Sequence, residues 1–467
     1  MGAAKKIEIA NYGAGYVAKV GRQYFVAWVV LTSCAFLTSN YYIFALLSFS
    51  LIYFLRKKIP IEAQGGLYLV LLLGLPSLSK TIPGFLGLQQ LFQSSWPLIL
   101  GVAFVLAERQ GRIFKFTEKV DWAVFLFFAI VGILLLRKSS FTDGLRYVFI
   151  YFNLICVPYF IAKKISKNAA SVRLIFIGYV FIMLILAGAA VFASLKHWNV
   201  YQSLDSALAL NERGITGYKY RGGFLRASTT LGAIHLAIAS FGAVILYSYL
   251  SYGTRSSLYK KAAFFLFFLT IVLTFSRGPW LIGLGVLALY FAMDRGSKGL
   301  IYLVIGLAAF AMLLSVSGVL GSVMDGLSLR DSGNVDYRQH LLEVGISEIM
   351  KYPFFGRLDF RDAAAFKTLI QGEGIVDIVN TYLQIALAYG VIALGFFVYA
   401  LIVWPISIYR KAARSKDLQR QKIARAYFCF MLCIAISIFT VSSFNVGSVF
   451  FPLIMFWVGV GHGVEGY

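Results

Sequence analysis

The stretch LIFIGYVFIMLILAGAAVFAS, residues 174–194, contains no charged side chain. An α-helix rises about 1.5 Å per residue, so a run of this length reaches about 30 Å, which is the thickness of the hydrocarbon core of a bilayer. The stretch therefore predicts a transmembrane helix. Similar runs recur along the whole chain, because 60% of its 467 residues are hydrophobic and only 13% are charged.

These apolar runs predict about fourteen membrane spans. They lie at residues 24–38, 40–55, 66–79, 94–107, 121–136, 147–162, 174–194, 229–251, 262–275, 279–293, 299–320, 379–407, 426–443 and 447–463. The N-terminal segment carries spread charge and leads directly into the first run, so we expect no cleaved signal peptide. We predict an all-α, polytopic integral membrane protein whose residues 1–467 form a single membrane domain.

The net charge of +23 follows the predicted topology. Lysine and arginine are concentrated in alternate connections, at residues 56–58, 108–119, 163–167, 255–261, 295–298 and 409–425. Cytoplasmic connections of membrane proteins are enriched in these residues, so we expect those connections and both termini in the cytoplasm. Basic residues there also match the anionic lipid of the inner leaflet. The charge therefore indicates membrane lipid as a partner, and not nucleic acid.

Two of the predicted outer loops are much longer than the others. They span residues 195–228 and 321–378, and both are polar. The second loop is predicted to contain an amphipathic helix over residues 336–350, which Pro353 and Gly356 would end. Its apolar side would carry Leu341, Leu342, Val344, Ile346 and Ile349. Long loops of this kind commonly hold functional residues, so we expect the chemistry at the outer face.

The first long loop is basic although it lies on the side where positive charge is disfavoured. It carries Arg213, Lys219, Arg221 and Arg226 close to the predicted membrane surface. Guanidinium groups bind phosphate through two parallel hydrogen bonds, which suggests an anionic ligand. A solvated loop that touches lipid headgroups is the alternative.

A further arginine lies between two spans in the sequence SRGPWL, residues 276–281. Gly278 and Pro279 turn the chain at once into the next helix, and Pro279 suits the first position of that helix. Arg277 would then lie beside exposed helix N–H groups, which themselves favour anions. An interfacial arginine whose side chain simply reaches water is the alternative.

The second long loop combines cations with carboxylates. Arg338 follows Asp336, and Glu373 and Asp377 come later in the loop. Cations could hold a pyrophosphate leaving group at the membrane surface, and a carboxylate could deprotonate an acceptor hydroxyl. For the arginines of the run RLDFRD, residues 357–362, pairing with acids in a solvated loop is the better interpretation.

Four segments in this order resemble the superfamily of bacterial O-antigen ligases, O-antigen polymerases and exopolysaccharide polymerases. They are RGGFLRASTTLG (221–232), SRGPWL (276–281), YRQHLLEVGISEIMKYPFFG (337–356) and NTYLQIALAYGVIALGFF (380–397). The resemblance covers roughly residues 215–405. An arginine followed by a glycine eleven positions on is matched by Arg221 and Gly232, and an arginine followed by a leucine four positions on is matched by Arg338 and Leu342.

This resemblance implies a GT-C-like, metal-independent, inverting glycosyltransferase that acts on undecaprenyl-pyrophosphate-linked glycans. The reaction would take place on the periplasmic side of the bacterial inner membrane, with a chain-length regulator as a further partner. The sequence contains no Gly-rich nucleotide loop, clustered His–Cys metal site or Ser–His–Asp arrangement, so we expect no cofactor and no metal.

The chain departs from the ligase pattern at one position. Ligases of the superfamily carry a histidine, thought to act as base, eleven residues before a glycine; here Gly390 is present but the histidine position is Val379. Valine cannot accept a proton. The substitutes nearest to it are Asp377, Glu373 and the loop residue His340. Eleven helical residues rise about 16 Å, so we expect Gly390 to be a helix-packing position near the middle of the membrane.

Polar residues crowd the start of the helix that contains Gly390. Asn380, Tyr382 and Gln384 would form hydrogen bonds to sugar there if a glycan passes the helix. The alternative is that they cap the helix and anchor it at the interface.

Together these patterns favour an inner-membrane polymerase of O-antigen, capsule or exopolysaccharide repeat units. Arg221, Arg277 and Arg338, with Arg226, would hold the departing pyrophosphate. A ligase that transfers finished glycan to lipid A core is the alternative within the same class. The alternative of another class is a flippase for lipid-linked oligosaccharide, which should show a repeated half and ionisable residues in mid-membrane. We detect no internal repeat, and the ionisable residues lie mainly in loops.

Overall fold

The computed structural model of the protein describes residues 14–83, 90–108, 111–138, 140–208, 210, 219–221, 223–252, 257–316, 332–370 and 376–466. Within them the first nine α-helices are α1 Ala14–Leu37, α2 Tyr41–Lys58, α3 Gln64–Gly74, α4 Trp96–Leu106, α5 Lys119–Lys138, α6 Phe141–Ile165, α7 Ala169–Lys196, α8 Ser203–Ala207 and α9 Ala233–Leu250. The next eight are α10 Leu258–Leu273, α11 Arg277–Arg295, α12 Ser297–Val316, α13 Ser332–Lys351, α14 Thr381–Val398, α15 Trp404–Ala413, α16 Leu418–Ser437 and α17 Phe450–Glu465.

Strands are few in this part of the chain. Strand β1, Ser79–Pro83, pairs antiparallel with β2, Gln90–Ser95, so that Ser79 is opposite Ser95. Strand β3, Tyr220–Arg221, pairs antiparallel with β4, Phe224–Leu225, so that Tyr220 is opposite Leu225. The all-α class is therefore confirmed. The β3–β4 hairpin contributes residues to a cavity of the protein.

Each of the fourteen predicted apolar runs overlaps a helix. In the described part of the chain, seven helices are long and apolar enough to cross a membrane; they are α1, α5, α6, α7, α9, α16 and the continuous segment Thr381–Ala413. Helices α3, α4 and α17, and the segment Ser297–Met312 of α12, are apolar but shorter. The protein is thus a polytopic, all-helical membrane protein.

Helices α17, α6 and α7 pack together in the interior. The ring of Trp457 on α17 lies 5.3 Å from the ring of Tyr179 on α7 and 4.4 Å from the ring of Phe430 on α16, centroid to centroid. All three side chains are buried. Such aromatic contacts fix how the central helices lie against one another.

Helix α14 is broken at Gly390, which has φ +82° and ψ 172°. The turn that follows α13 fills the break: the Val391 amide donates to the Pro353 carbonyl at 2.8 Å, and the Arg357 amide donates to the Leu387 carbonyl at 2.7 Å. Gly390 is therefore a close-packing position, as the sequence predicts, but it packs against the turn after α13 and interrupts α14. A break in an apolar helix is tolerated because another segment of the protein satisfies the freed backbone groups.

Helix α13 packs against α14 with part of the apolar side that the sequence predicts. Leu341 is buried and Val344 and Ile349 are partly buried, as expected, but Leu342 and Ile346 are exposed. The buried side also includes Gly345, which lies against Leu383 of α14. A residue without a side chain at this point lets the two helices approach closely.

Candidate functional site

Helices α10 and α11 are separated by three residues, Thr274, Phe275 and Ser276, at which the chain reverses. Phe275 has φ +49°, a left-handed conformation that is uncommon for a residue other than glycine. It places the carbonyl end of α10 beside the N-terminal end of α11. One helix end is partially negative and the other partially positive.

The segment around the β3–β4 hairpin caps the carbonyl end of α10. The Ala227 amide donates to the Leu273 carbonyl at 2.8 Å. Arg226 donates from Nε to the Thr274 carbonyl at 2.6 Å and from Nη2 to Ser276 Oγ at 2.8 Å. Arg226 and the amide of the next residue, Ala227, thus bond to consecutive carbonyl groups at the end of α10.

The hairpin itself is held from two sides. The Ser194 hydroxyl on α7 donates to the Leu225 carbonyl at 2.5 Å, and the Arg226 amide donates to the Lys219 carbonyl at 2.8 Å. Arg221 also donates from Nη1 to the Phe275 carbonyl at 3.4 Å. The hairpin therefore directs Lys219, Arg221 and Arg226 to the junction of α10 and α11.

A cavity of about 460 Å³ opens at this junction. Five cationic residues and one carboxylate line it: Lys219, Arg221, Arg226, Arg277, Arg338 and Asp377. Ile234, Phe275, Ser276, Gly278, Pro279, Val379 and Thr440 complete its lining. The four arginines that the sequence singles out as anion ligands are thus brought together from three separate parts of the chain, the β3–β4 hairpin segment, α11 and α13.

Crowding of positive charge is visible at Arg226. Burial, and then the nearby charge of Arg221, lower the pKa of the Arg226 guanidinium from its usual 12.5 to about 10. Arg226 is still protonated at neutral pH. Its charge is disfavoured by the surroundings, so an anion that enters the cavity would be bound favourably.

The N-terminal end of α11 adds to this field. Arg277, Gly278 and Pro279 of its first turn all line the cavity. The residue that precedes the helix, Ser276, makes no side-chain cap with the first-turn amides, because its hydroxyl is engaged by Arg226 and Thr274. The positive end of a helix dipole is therefore directed at the cavity.

Asp377 enters the site from the segment that leads into α14. The Tyr337 hydroxyl on α13 donates to the Asp377 main-chain carbonyl at 3.0 Å, which fixes this segment against α13. The next residue of α13, Arg338, is exposed and lines the same cavity. Val379 also lines it, so the position where ligases carry histidine is at the site but has no proton-accepting group.

Of the other two predicted catalytic residues, His340 is not among the described residues that line the cavity. His340 is exposed on α13, with Nε2 3.5 Å from Thr368 Oγ1 and Nδ1 3.9 Å from a Glu343 carboxylate oxygen. Glu373 lies outside the described residues. Asp377 is the acidic residue that the described part of the chain brings to the cations.

Asn380, Tyr382 and Gln384 are engaged within the protein and do not line the cavity. Asn380 caps α14, since its Oδ1 accepts hydrogen bonds from the Tyr382 amide at 2.9 Å and the Leu383 amide at 3.1 Å. The Tyr382 hydroxyl donates to the Ala435 carbonyl at 2.7 Å. Gln384 donates from Nε2 to the Phe444 carbonyl at 2.8 Å. These bonds agree with the alternative that the three residues cap α14 and anchor it to neighbouring segments.

Sequence reasoning missed several residues that the fold brings to the cavity. Phe275 and Ser276 form the turn, and Thr440 arrives from the short 3₁₀ helix Ile438–Thr440 after α16. Thr440 lies close to Gly278, because a Cβ added at Gly278 would be 3.2 Å from Thr440 Oγ1. No local pattern indicates this contact, since it depends on the packing of α16 against α11.

Comparison with known families gives one match. Residues 262–400 match the family model described as O-antigen ligase. This range contains Arg277, Arg338 and Asp377, whereas Arg221 and Arg226 lie before it. No curated protein matches the chain. The match confirms the resemblance to the O-antigen ligase and polymerase superfamily, and it supports a glycosyltransferase-like activity on lipid-linked glycans in the membrane.

Proposed function

We propose that the protein is a polysaccharide polymerase, which joins undecaprenyl-pyrophosphate-linked repeat units at the periplasmic face of the bacterial inner membrane. The observation that carries this proposal is a cavity that five cations and one carboxylate, Asp377, line together. The matched family supports the reaction class, a transfer of glycan from a lipid carrier.

The cations are suited to hold the pyrophosphate of the donor. Arg221, Arg277 and Arg338 line the cavity from the hairpin, α11 and α13, so they approach a bound anion from different sides. Arg226 has a positioning role as well, since its guanidinium already bonds Thr274 and Ser276. Negative charge grows on the pyrophosphate as it departs, and fixed positive groups stabilise that state more than the bound donor.

Asp377 is the proposed general base. It removes the proton from a sugar hydroxyl of the acceptor, and the oxygen attacks the anomeric carbon of the donor glycan. The bond from that carbon to the pyrophosphate oxygen breaks, and its electron pair leaves with the lipid pyrophosphate. Attack from the opposite face inverts the anomeric configuration. A base within hydrogen-bond reach of the attacking hydroxyl commonly contributes about 10²- to 10⁴-fold to the rate.

Val379 favours the polymerase over the ligase. It lies at the cavity, where ligases of the superfamily carry their histidine, so the proton must go elsewhere. The carboxylate two residues earlier is in the same cavity and offers such an acceptor.

Purified protein in lipid nanodiscs can be given lipid-linked repeat units alone, or together with lipid A core as acceptor. The proposal requires lengthened lipid-linked glycan in the first reaction and no transfer to lipid A core in the second. Transfer to core alone would establish the ligase instead. Movement of the lipid-linked unit across sealed vesicles without any new glycosidic bond would establish the flippase.

A further inference from the structure

A second pocket lies among the ends of three helices, on the side where the charge pattern predicts the cytoplasm. It holds about 320 Å³, and it is lined by the start of α7, the end of α9 with the turn that follows it, and the start of α16. We call it the interfacial pocket. Its polar lining consists of Arg173, Tyr249, Tyr252, Gln419 and Lys422, and two leucines complete it.

The positive charge of the interfacial pocket is not balanced by acid. Two cations, Arg173 and Lys422, line it, and no carboxylate does so among the described residues. Neither cation forms an ion pair within the part of the chain that the structure describes. By contrast, Arg295 Nε and Arg425 Nη1 lie 3.5 Å and 3.4 Å from carboxylate oxygens of Asp294. An anion in the pocket therefore meets two cations that no acid neutralises.

The polar side chains of this pocket are open to a ligand. Arg173, Tyr252 and Gln419 are exposed, and Lys422 is half-buried. Lys422 Nζ lies 3.4 Å from the centre of the Tyr252 ring, a cation–π contact that holds the ammonium group at the pocket and leaves its charge in place. Asp417 is the acidic residue nearest to α16 in the sequence, but it caps that helix by accepting from the Gln419 amide and does not line the pocket. The cations therefore remain available to an anion.

The pocket lies at the level of phospholipid headgroups. Helices α7, α9 and α16 are each long and apolar enough to cross a membrane, and the pocket is formed where they end. Tyrosine is enriched at this level, because its ring suits the acyl chains and its hydroxyl suits water. Leu418, which also lines the pocket, is exposed. Basic pockets between transmembrane helices on the cytoplasmic side are suited to anionic lipid headgroups.

We propose that the interfacial pocket binds the headgroup of one anionic phospholipid of the adjacent leaflet. Arg173 and Lys422 bind its phosphate, and Leu250 and Leu418 contact the apolar part of the lipid next to the headgroup. A free phosphate ion shares the anionic chemistry, but it would leave these leucines without an apolar partner. The inference does not depend on the proposed polymerase activity.

The three helices that meet at the interfacial pocket also hold the basic cavity at their other ends. Ser194, near the end of α7, donates to the Leu225 carbonyl of the hairpin. Ile234, in the first turn of α9, and Thr440, just after α16, line the cavity itself. A lipid that bridges one end of these helices therefore stabilises the helices that frame the cavity at the other.

The test titrates the purified full-length protein in detergent with phosphatidylglycerol, with phosphatidylcholine, which has no net charge, and with inorganic phosphate. The melting temperature is measured at each concentration, because a ligand that binds the folded protein raises it. We expect a saturable rise with phosphatidylglycerol and little change with the other two. The double variant Arg173→Ala/Lys422→Ala should bind phosphatidylglycerol roughly tenfold to thirtyfold more weakly, since each basic residue near an anionic lipid contributes about fivefold in affinity.

Lys298→Ala/Lys416→Ala is the matched control, because it removes the same charge from two exposed lysines of the same predicted side that do not line the pocket. Arg173→Lys keeps the charge and should stay within about threefold of wild type, which separates the loss of a cation from a folding defect. If the two double variants bind phosphatidylglycerol equally well, the lipid responds to the surface charge as a whole and the proposal is overturned. Stabilisation by inorganic phosphate with the affinity of phosphatidylglycerol would also overturn it, because the pocket would then be a site for a free anion.

Discussion

Gly356 and Gly390 face each other at a junction where two main chains meet without side chains between them. A Cβ added at Gly356 would lie 2.7 Å from the Gly390 amide nitrogen, and one added at Gly390 would lie 2.0 Å from the Phe354 carbonyl oxygen. Both residues have positive φ, +62° and +82°. The junction ties the turn after α13 to the break in α14, and thereby fixes Arg338 relative to Asp377.

Gly390→Ala should therefore destabilise the protein and abolish polymer formation. The substitution forces a side chain into backbone and into a conformation that L-residues rarely adopt, which costs at least about 1–3 kcal/mol. Thermal unfolding in nanodiscs measures the loss. Gly395→Ala on the same helix is the control, because a Cβ there meets nothing within 4 Å. Equal melting temperatures for the two variants would show that the junction does not matter.

Arg277→Ala should reduce polymer formation by roughly a hundredfold or more, since a cation beside the N-terminal end of α11 is lost as the pyrophosphate departs. Arg277→Lys should recover part of the rate because it keeps the charge but not the planar fork. Arg361→Ala should be nearly silent, since Arg361 is exposed and does not line the cavity. Membrane expression is checked for each variant. A near-normal amount of polymer from a well-expressed Arg277→Ala variant would show that Arg277 does not bind the departing pyrophosphate.

Asp377→Asn should lower kcat by about 10²- to 10⁴-fold and leave the KM for the lipid-linked unit within a few fold, because the amide cannot accept the proton. Asp362→Asn removes an exposed carboxylate of the same loop and serves as control. A large rise in KM with unchanged kcat would assign Asp377 to binding and leave the base to another group.

Arg226 should give pyrophosphate binding a pH dependence near its pKa of about 10. Affinity for inorganic pyrophosphate should fall more steeply in wild type than in Arg226→Gln between about pH 9 and about pH 11, as the guanidinium loses its proton. The free energy of unfolding should instead rise with pH over this range. The unfolded chain keeps this arginine protonated and so binds more protons than the folded protein does. Parallel titration curves for the two proteins would contradict the prediction.

Reporter fusions test the proposed topology. A fusion after residue 215 or after residue 365 should report the periplasm, and one after residue 418 the cytoplasm, because lysine and arginine concentrate in residues 409–425. Reversed signals at the first two positions would place the basic cavity on the cytoplasmic side and remove the case for an undecaprenyl-linked donor.

Hydropathy was enough to predict the apolar helices, because each apolar run must satisfy its own backbone in lipid. The arginines of the cavity were also predictable, since Arg221 and Arg226 stand out against the expected charge bias. Asn380 could not be assigned in this way, because the same amide suits a helix cap or a sugar. Thr440 and the interfacial pocket around Lys422 depend on segments far apart in sequence, which no local pattern relates.

The junction at Gly356 and Gly390 is made of main-chain bonds, from Val391 to Pro353 and from Arg357 to Leu387. Such bonds place almost no demand on neighbouring side chains, and Phe354 and Phe355 are in fact exposed. Random mutagenesis should therefore show that tolerance to substitution differs sharply between neighbouring positions of this junction. Many substitutions at positions 354 and 355 would survive selection, whereas Gly356 and Gly390 would accept none, so the geometry of the site would persist while the surface around it diverges.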